Sequence, residues 1–243
     1  MGLKEPGLRG SLRNVSVGIG AIPDNVVDNF EDGNADPAGV YESEDTIADF
    51  YSGDTSGYAR TTTEVIEGGN ALEYTGDVNG GFIASEPNNG LNRYPAKGEI
   101  ISGLLRDTST DHVPQFIIGA EVSEGDVSGY GIQIRPDESR LRIARYVDSS
   151  EDAVLAETTS ASLNFDEWYD CEVEWHDGSG SESDNEIVFT VYEIDEDTLE
   201  RENEVASISA NDSTFEDNSG VGFRAIRETS ETLFDFVRVT GEV

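Results

Sequence analysis

The stretch WYDCEVEWH at 168–176 alternates apolar and polar residues with a period of two. Successive side chains of a strand point to opposite faces, so Tyr169, Cys171, Val173 and Trp175 share one face and Asp170, Glu172, Glu174 and His176 the other. The segment reads as a strand with one face in a core and one face in water. Cys171 is the chain's one cysteine, which excludes an internal disulfide, and among apolar neighbours it reads as a small buried hydrophobe.

The same short-period pattern recurs along the chain. Segments 70–76, 81–85, 99–106, 115–122, 130–135, 141–147, 153–158, 186–194, 204–209, 220–226 and 232–239 are rich in β-branched and aromatic residues, and Gly, Asn, Asp and Ser clusters separate them. No segment carries a long helical period. The prediction is an all-β fold, an antiparallel β-sandwich or jelly roll. A length of 243 residues suits one such domain, and 36% hydrophobic residues with 10 Phe, 9 Tyr and 2 Trp suffice for a sizeable core. No apolar run reaches the length of a membrane span.

Residues 1–25 differ from the rest. Lys4, Arg9 and Arg13 outweigh Glu5 and Asp24, and repeated Gly and Pro break any regular element. They are expected to form an extended N-terminal docking arm ahead of a sandwich over 26–243. Ordering backbone costs roughly 1–2 kcal/mol per residue, so such an arm is expected to gain its order on another subunit. Charges and glycines also stand where a signal peptide would need a continuous apolar stretch, so export by that route is not expected.

Charge is the strongest compositional signal: 51 Asp and Glu against 15 Lys and Arg give −36. Molar salt shortens the Debye length to about 3 Å and screens the self-repulsion of such a surface. The acids are dispersed between apolar residues rather than gathered in blocks, which fits a folded halophilic protein better than an acidic tail. Nucleic acid is a poor partner for this charge.

Four segments, VVDNFEDG (26–33), LNRYPAKGE (91–99), FDEWYDCEVEW (165–175) and GVGFRAIRETSETLFDFVRVTG (220–241), together resemble the concanavalin A-like lectin/glucanase superfamily, which includes laminin-G-like modules and family-16-type glycoside hydrolases. Phe234, Asp235, Phe236, Val237, Arg238 and Val239 match that family's last strand. By strict alternation Phe234 and Phe236 would share one face, and Asp235, Val237 and Val239 the other. The resemblance implies a jelly roll, often with a structural calcium and often with sugar recognition; the fold alone does not settle a function.

The family's hydrolases carry their carboxyl pair on one strand, as Glu, an aliphatic residue, Asp and a second Glu. Retention requires carboxyl groups about 5–5.5 Å apart. Glu193, Ile194, Asp195 and Glu196 come nearest, but Glu196 falls where an apolar residue is expected, and the run enters a polar segment between two strands. The expectation is a non-catalytic protein. His112 and His176, the two histidines, lack a second histidine at metal-ligand spacing and read as surface residues.

For calcium, the resemblance points to Asp28, Glu31 and Asp32 of the opening segment with Asp235 of the last strand, because terminal strands often pair in this fold and hard cations take several oxygens. Solvated halophilic surface is the plainer reading of these acids. For a sugar, Tyr41, Tyr51, Tyr58 and Tyr94 with Asn92 and Arg93 are candidates for a binding rim, since aromatic faces stack on pyranose rings while amides and guanidinium groups bond hydroxyls. Core packing is the plainer reading of each tyrosine.

These readings combine into a non-catalytic structural protein at the virion surface of a halophilic archaeal virus, as a capsid decoration, turret or tail-fibre component. Its arm would dock on other virion proteins in a multi-copy assembly, and its lectin-like domain is a candidate for host-surface glycans. The alternatives are a halophile cell-surface or secreted carbohydrate-binding module and, more weakly, a glycoside hydrolase.

Overall fold

A computed structural model describes residues 24–33, 35, 38–76, 81–108, 114–179, 183–225 and 232–243. The docking arm, with Lys4, Arg9 and Arg13, lies outside the described residues, as does His112. The strands are β1 (Val26–Asp28), β2 (Ser52–Gly53), β3 (Tyr58–Thr61), β4 (Ala71–Tyr74), β5 (Gly81–Ser85), β6 (Glu99–Asp107), β7 (Gln115–Ser123) and β8 (Asp126–Arg135). They continue with β9 (Arg140–Val147), β10 (Ser150–Thr158), β11 (Trp168–Trp175), β12 (Glu186–Ile194), β13 (Arg201–Asn211), β14 (Gly220–Ala225) and β15 (Thr232–Glu242). One short helix, α1 (Ile47–Phe50), interrupts them. No helix among the described residues is long and apolar enough to cross a membrane.

The strands form two antiparallel sheets, so the fold is an all-β sandwich of the jelly-roll type. The larger, eight-stranded sheet runs β13-β12-β11-β6-β15-β4-β3, with β1 beside β15; the seven-stranded sheet runs β10-β9-β8-β7-β14-β5-β2. β4 pairs with the first part of β15 and β1 with a later part, Val26 opposite Arg238 and Asp28 opposite Val237. The expected pairing of the opening and final strands is therefore present.

Hairpin chemistry sets the register of the smaller sheet. Glu124 and Gly125 join β7 to β8, Asp148 and Ser149 join β9 to β10, and all four take positive φ. Two-residue turns of that hand match the twist of the flanking strands. The second turn is stapled to β8: Val127 N donates to Ser149 Oγ at 2.9 Å and Asp148 N to Ser128 Oγ at 3.0 Å.

The core lies between the sheets and draws on both, from Val27 and Phe30 to Phe234 and Val239. Tyr169, Cys171, Val173 and Trp175 face it, as the alternation requires, and Cys171 is a free, fully buried thiol. The opposite face of β11 corrects the expectation of a wet face. Asp170 is completely buried and Glu172 and His176 nearly so. Asp170 accepts from Ser102 Oγ at 2.5 Å and pairs with Arg201 at 2.8 Å, and Arg201 also reaches Glu172 at 2.6 Å. Long cationic stems from neighbouring strands thus roof an acidic stripe that a single strand's pattern leaves open.

The last strand departs from strict alternation as well. Phe236 sits at φ 44°, and the β15–β6 register shifts between Asp235 and Arg238. This bulge inserts a residue and resets the faces. Phe234, Val237 and Val239 all enter the core, while Phe236 packs into an outer apolar cluster with Leu104, Trp168, Ile194 and Leu233.

Candidate functional site

The seven-stranded sheet has an inner face made of Ile83, Phe116, Ile132, Ile143 and Phe223. Their sequence neighbours turn outward, and the pairing aligns them in one transverse row. Phe82 stands opposite Arg224, Arg224 opposite Gln115, Gln115 opposite Gln133, Gln133 opposite Arg142 and Arg142 opposite Glu157. Six strands contribute one residue each, so the row exists only in the folded sheet.

At one end of the row is an aromatic clamp. The Phe82 and Tyr146 rings meet edge to face with centroids 5.2 Å apart, and the Arg224 guanidinium carbon lies 4.6 Å from the Phe82 centroid and 5.2 Å from that of Tyr146. A guanidinium over aromatic faces is held by the ring quadrupoles. Close approach depends on Gly131, where an added Cβ would meet Gln115 Oε1 and the Tyr146 ring at 2.5 Å. Any larger residue would lift both side chains from the sheet.

The middle of the row is polar and buried. Gln115 is 0% exposed and Gln133 3%. Neither polar atom of the Gln115 amide has a hydrogen-bond partner, nor has Gln133 Oε1. Burial raises the pKa of the Tyr146 phenol, and the Gln115 amide lies close enough to lower it as a hydrogen-bonding neighbour, but the pair misses the geometry of a well-formed bond. Leaving such groups unpaired costs about 1–3 kcal/mol each, a penalty that ordered water or a ligand would relieve.

The far end is ionic. Arg142 reaches Glu151 and Glu157 on the edge strand β10, each at 3.1 Å, while its Nε has no partner. Arg135 and Arg140 follow along the same sheet, tied to Asp137 and Glu138. In a chain of −36, this concentrates cations on one face.

The rim residues expected from the sequence lie elsewhere. Tyr41, Tyr51 and Tyr58 are buried in the core. Tyr41 and Tyr51 donate to Asp28 Oδ2 at 3.1 and 2.7 Å, and Tyr58 donates to the Gly81 carbonyl at 2.8 Å. Tyr94 packs on the core with its hydroxyl 2.9 Å from Ser85 Oγ, Asn92 donates to the Val26 carbonyl at 2.8 Å, and Arg93 pairs with Glu99. Their polar ends tie loops to strands.

The four carboxylates considered for calcium are engaged separately. Asp28 accepts from the two tyrosines and from Phe30 N at 2.8 Å; burial outweighs these bonds and raises its pKa to about 6. Glu31 accepts from Gly69 N, Asn70 N and Asn70 Nδ2, and Asp32 pairs with Arg60 at 2.7 Å. Asp235 accepts from Ile66, Glu67 and Phe236 N–H groups. Glu31 and Asp235 thus clamp one loop from two sides, with N–H donors where a calcium would want oxygens. The four are held by different partners, and among the described residues no group of three His, Cys, Asp or Glu converges.

Glu193 and Glu196 rim a shallow depression over Trp168 together with Glu167 and Glu202. Asp195 caps the β12–β13 turn, accepting from Asp197 N and Thr198 N at 3.0 and 2.9 Å. The segment is the hairpin end that its polarity announced.

No family model and no curated protein sequence matches the chain. Among solved structures, the chain is similar to the carbohydrate-binding module CBM66 from Bacillus subtilis, at 14% identity and TM-score 0.47, over 77% of this chain and 96% of that one. It is similar to a Bacillus subtilis protein of unknown function with a galectin-like fold, at 9% identity and TM-score 0.48, over 79% and 89%. The Caenorhabditis elegans galectin LEC-6 aligns at 10% identity and TM-score 0.36, over 60% and 84%. At these scores the fold assignment stands on the strand pairing itself.

Proposed function

We propose that this chain is a non-catalytic carbohydrate-binding sandwich whose ligand lies on the outer face of the seven-stranded sheet. The observation that carries the reading is the pair of buried amides, Gln115 and Gln133, where both polar atoms of the first and the oxygen of the second lack a hydrogen-bond partner. Sugar hydroxyls both donate and accept, which is what an amide pair requires. The partly exposed Phe82 beside Tyr146 offers the apolar surface on which a pyranose face stacks. A glycan array probed in molar NaCl tests it: the native chain should select a saccharide, and Phe82→Ala or Gln133→Leu should lose it. Array binding unchanged by both substitutions would remove this face from the reading.

The setting we propose is the virion surface of a halophilic archaeal virus, in a capsid decoration, turret or tail fibre. Its support is the −36 charge and the contrasting cationic composition of residues 1–25. Multiple copies would turn weak sugar sites into useful avidity. Deleting residues 2–23 should leave a folded sandwich that no longer enters the particle. A cell-surface or secreted module of a halophile predicts no such particle, and a pull-down of host-envelope glycans in molar NaCl would then succeed without the arm.

A further inference from the structure

Of the described arginines, Arg224 alone has no carboxylate within 4 Å. Arg60, Arg93, Arg106, Arg135, Arg140, Arg142, Arg145, Arg201 and Arg238 all form ion pairs. In a chain with 51 acids, an arginine that meets none is held away from them by its surroundings. Its Nε is buried without a partner, and its one hydrogen bond, from Nη1 to the Tyr146 hydroxyl, is long at 3.4 Å. Contact with both rings restrains the guanidinium, so less freedom is left to lose when an anion arrives.

We infer that the sugar bound on this face is acidic, its exocyclic carboxylate received by Arg224 while Gln115 and Gln133 take the neighbouring hydroxyls. This rests on the carbohydrate-binding reading above and adds the substrate class. Planar carboxylate matches the guanidinium fork in bidentate fashion, and the partner group is charged, so the contact is among the stronger hydrogen bonds available. A sulfate ester shares the oxyanion chemistry; the carboxylate is favoured because its two coplanar oxygens match the guanidinium fork. Arg142, two places along the row, is already answered by Glu151 and Glu157, so Arg224 is the receptor and Arg142 is not.

The test is calorimetric titration of the full chain in molar NaCl with trigalacturonate, its methyl ester and a sulfated neutral oligosaccharide. Trigalacturonate should bind about tenfold or more tightly than the ester, the change expected when one charge-assisted pair is lost. Arg224→Gln should erase the difference by weakening the acid alone, and Arg224→Lys should restore part of it. Tighter binding of the sulfated probe, lost equally in Arg224→Gln, would keep the oxyanion receptor and reassign the oxyanion to sulfate. Equal binding of acid and ester, or equal loss of both in Arg224→Gln, overturns the inference and leaves the carbohydrate reading standing. Failure of all three probes and of the glycan array overturns both. Near-ultraviolet circular dichroism establishes that each variant is folded; if Arg224→Gln is not, the acid-to-ester ratio of Arg224→Lys decides, and an unchanged ratio counts against the inference.

Discussion

Gln115 and Gln133 stand directly opposite each other on β7 and β8, both buried, with no hydrogen-bond partner for either polar atom of the first or for the oxygen of the second. Replacing an unpaired amide by an apolar group of similar shape removes a desolvation penalty. Gln115→Leu is therefore expected to raise stability by about 1 kcal/mol, or roughly 2–4 °C in melting temperature for a chain of this size. It should abolish sugar binding at the same time. Melts and titrations on one preparation check both; a Leu variant that is less stable and still binds would show that the amide is paired within the protein.

Asp28 carries the clearest pH signature. Its folded pKa is raised from 3.8 to about 6, chiefly by burial. The folded state then holds the proton more tightly than the unfolded state, so the group's contribution is fully present below about pH 4 and is lost as pH rises through about 6. Asp28→Asn should remove this dependence and be more stable than the native chain at pH above 7, by an amount on the order of 1–3 kcal/mol. Paired melts between acid and neutral pH read the difference, and parallel curves would contradict the assignment.

A net charge of −36 makes salt a structural variable. Melting temperature should climb steeply from tenths molar to molar NaCl or KCl as repulsion is screened. A flat profile would sink the halophilic setting.

Because Glu31 and Asp235 are met by N–H donors, chelator at fixed ionic strength should leave the melt unchanged. Asp235→Ala should nonetheless destabilise, by about 1–3 kcal/mol, through the backbone donors of Ile66 and Glu67 that it leaves without an acceptor. A chelator-induced fall that Asp235→Ala removes would bring back the shared calcium.

The long strands were legible because each carries its own period. The segments read at 115–122 and 186–194 correspond to Gln115–Ser123 and Glu186–Ile194. β2 and β3 escaped because two to four residues hold no period, so Tyr51 just ahead of β2 and Tyr58 at the start of β3 looked like loop aromatics although they fill the core. The Phe236 bulge was hidden because αL backbone is uncommon for a phenylalanine and leaves no compositional mark. The site was hidden for another reason. Lone glutamines inside apolar runs, as in QFIIGA and GIQIR, are a faint local signal, but only lateral strand order brings Gln115, Gln133 and Arg224 together. Sequence period reports which face a residue takes and says little about its neighbours across the ladder.

Cys171 sits on β11 between β6 and β12, with no exposed surface, and burial raises its thiol pKa well above the ordinary range. As the chain's one sulfhydryl at the centre of the larger sheet, it is a natural clock. A thiol reagent can reach it only when the sheet opens, so the labelling rate reports opening directly, without added dye or engineered probe. Measured across salt, that rate would separate a surface that merely resists aggregation from one whose screening slows the parting of the strands.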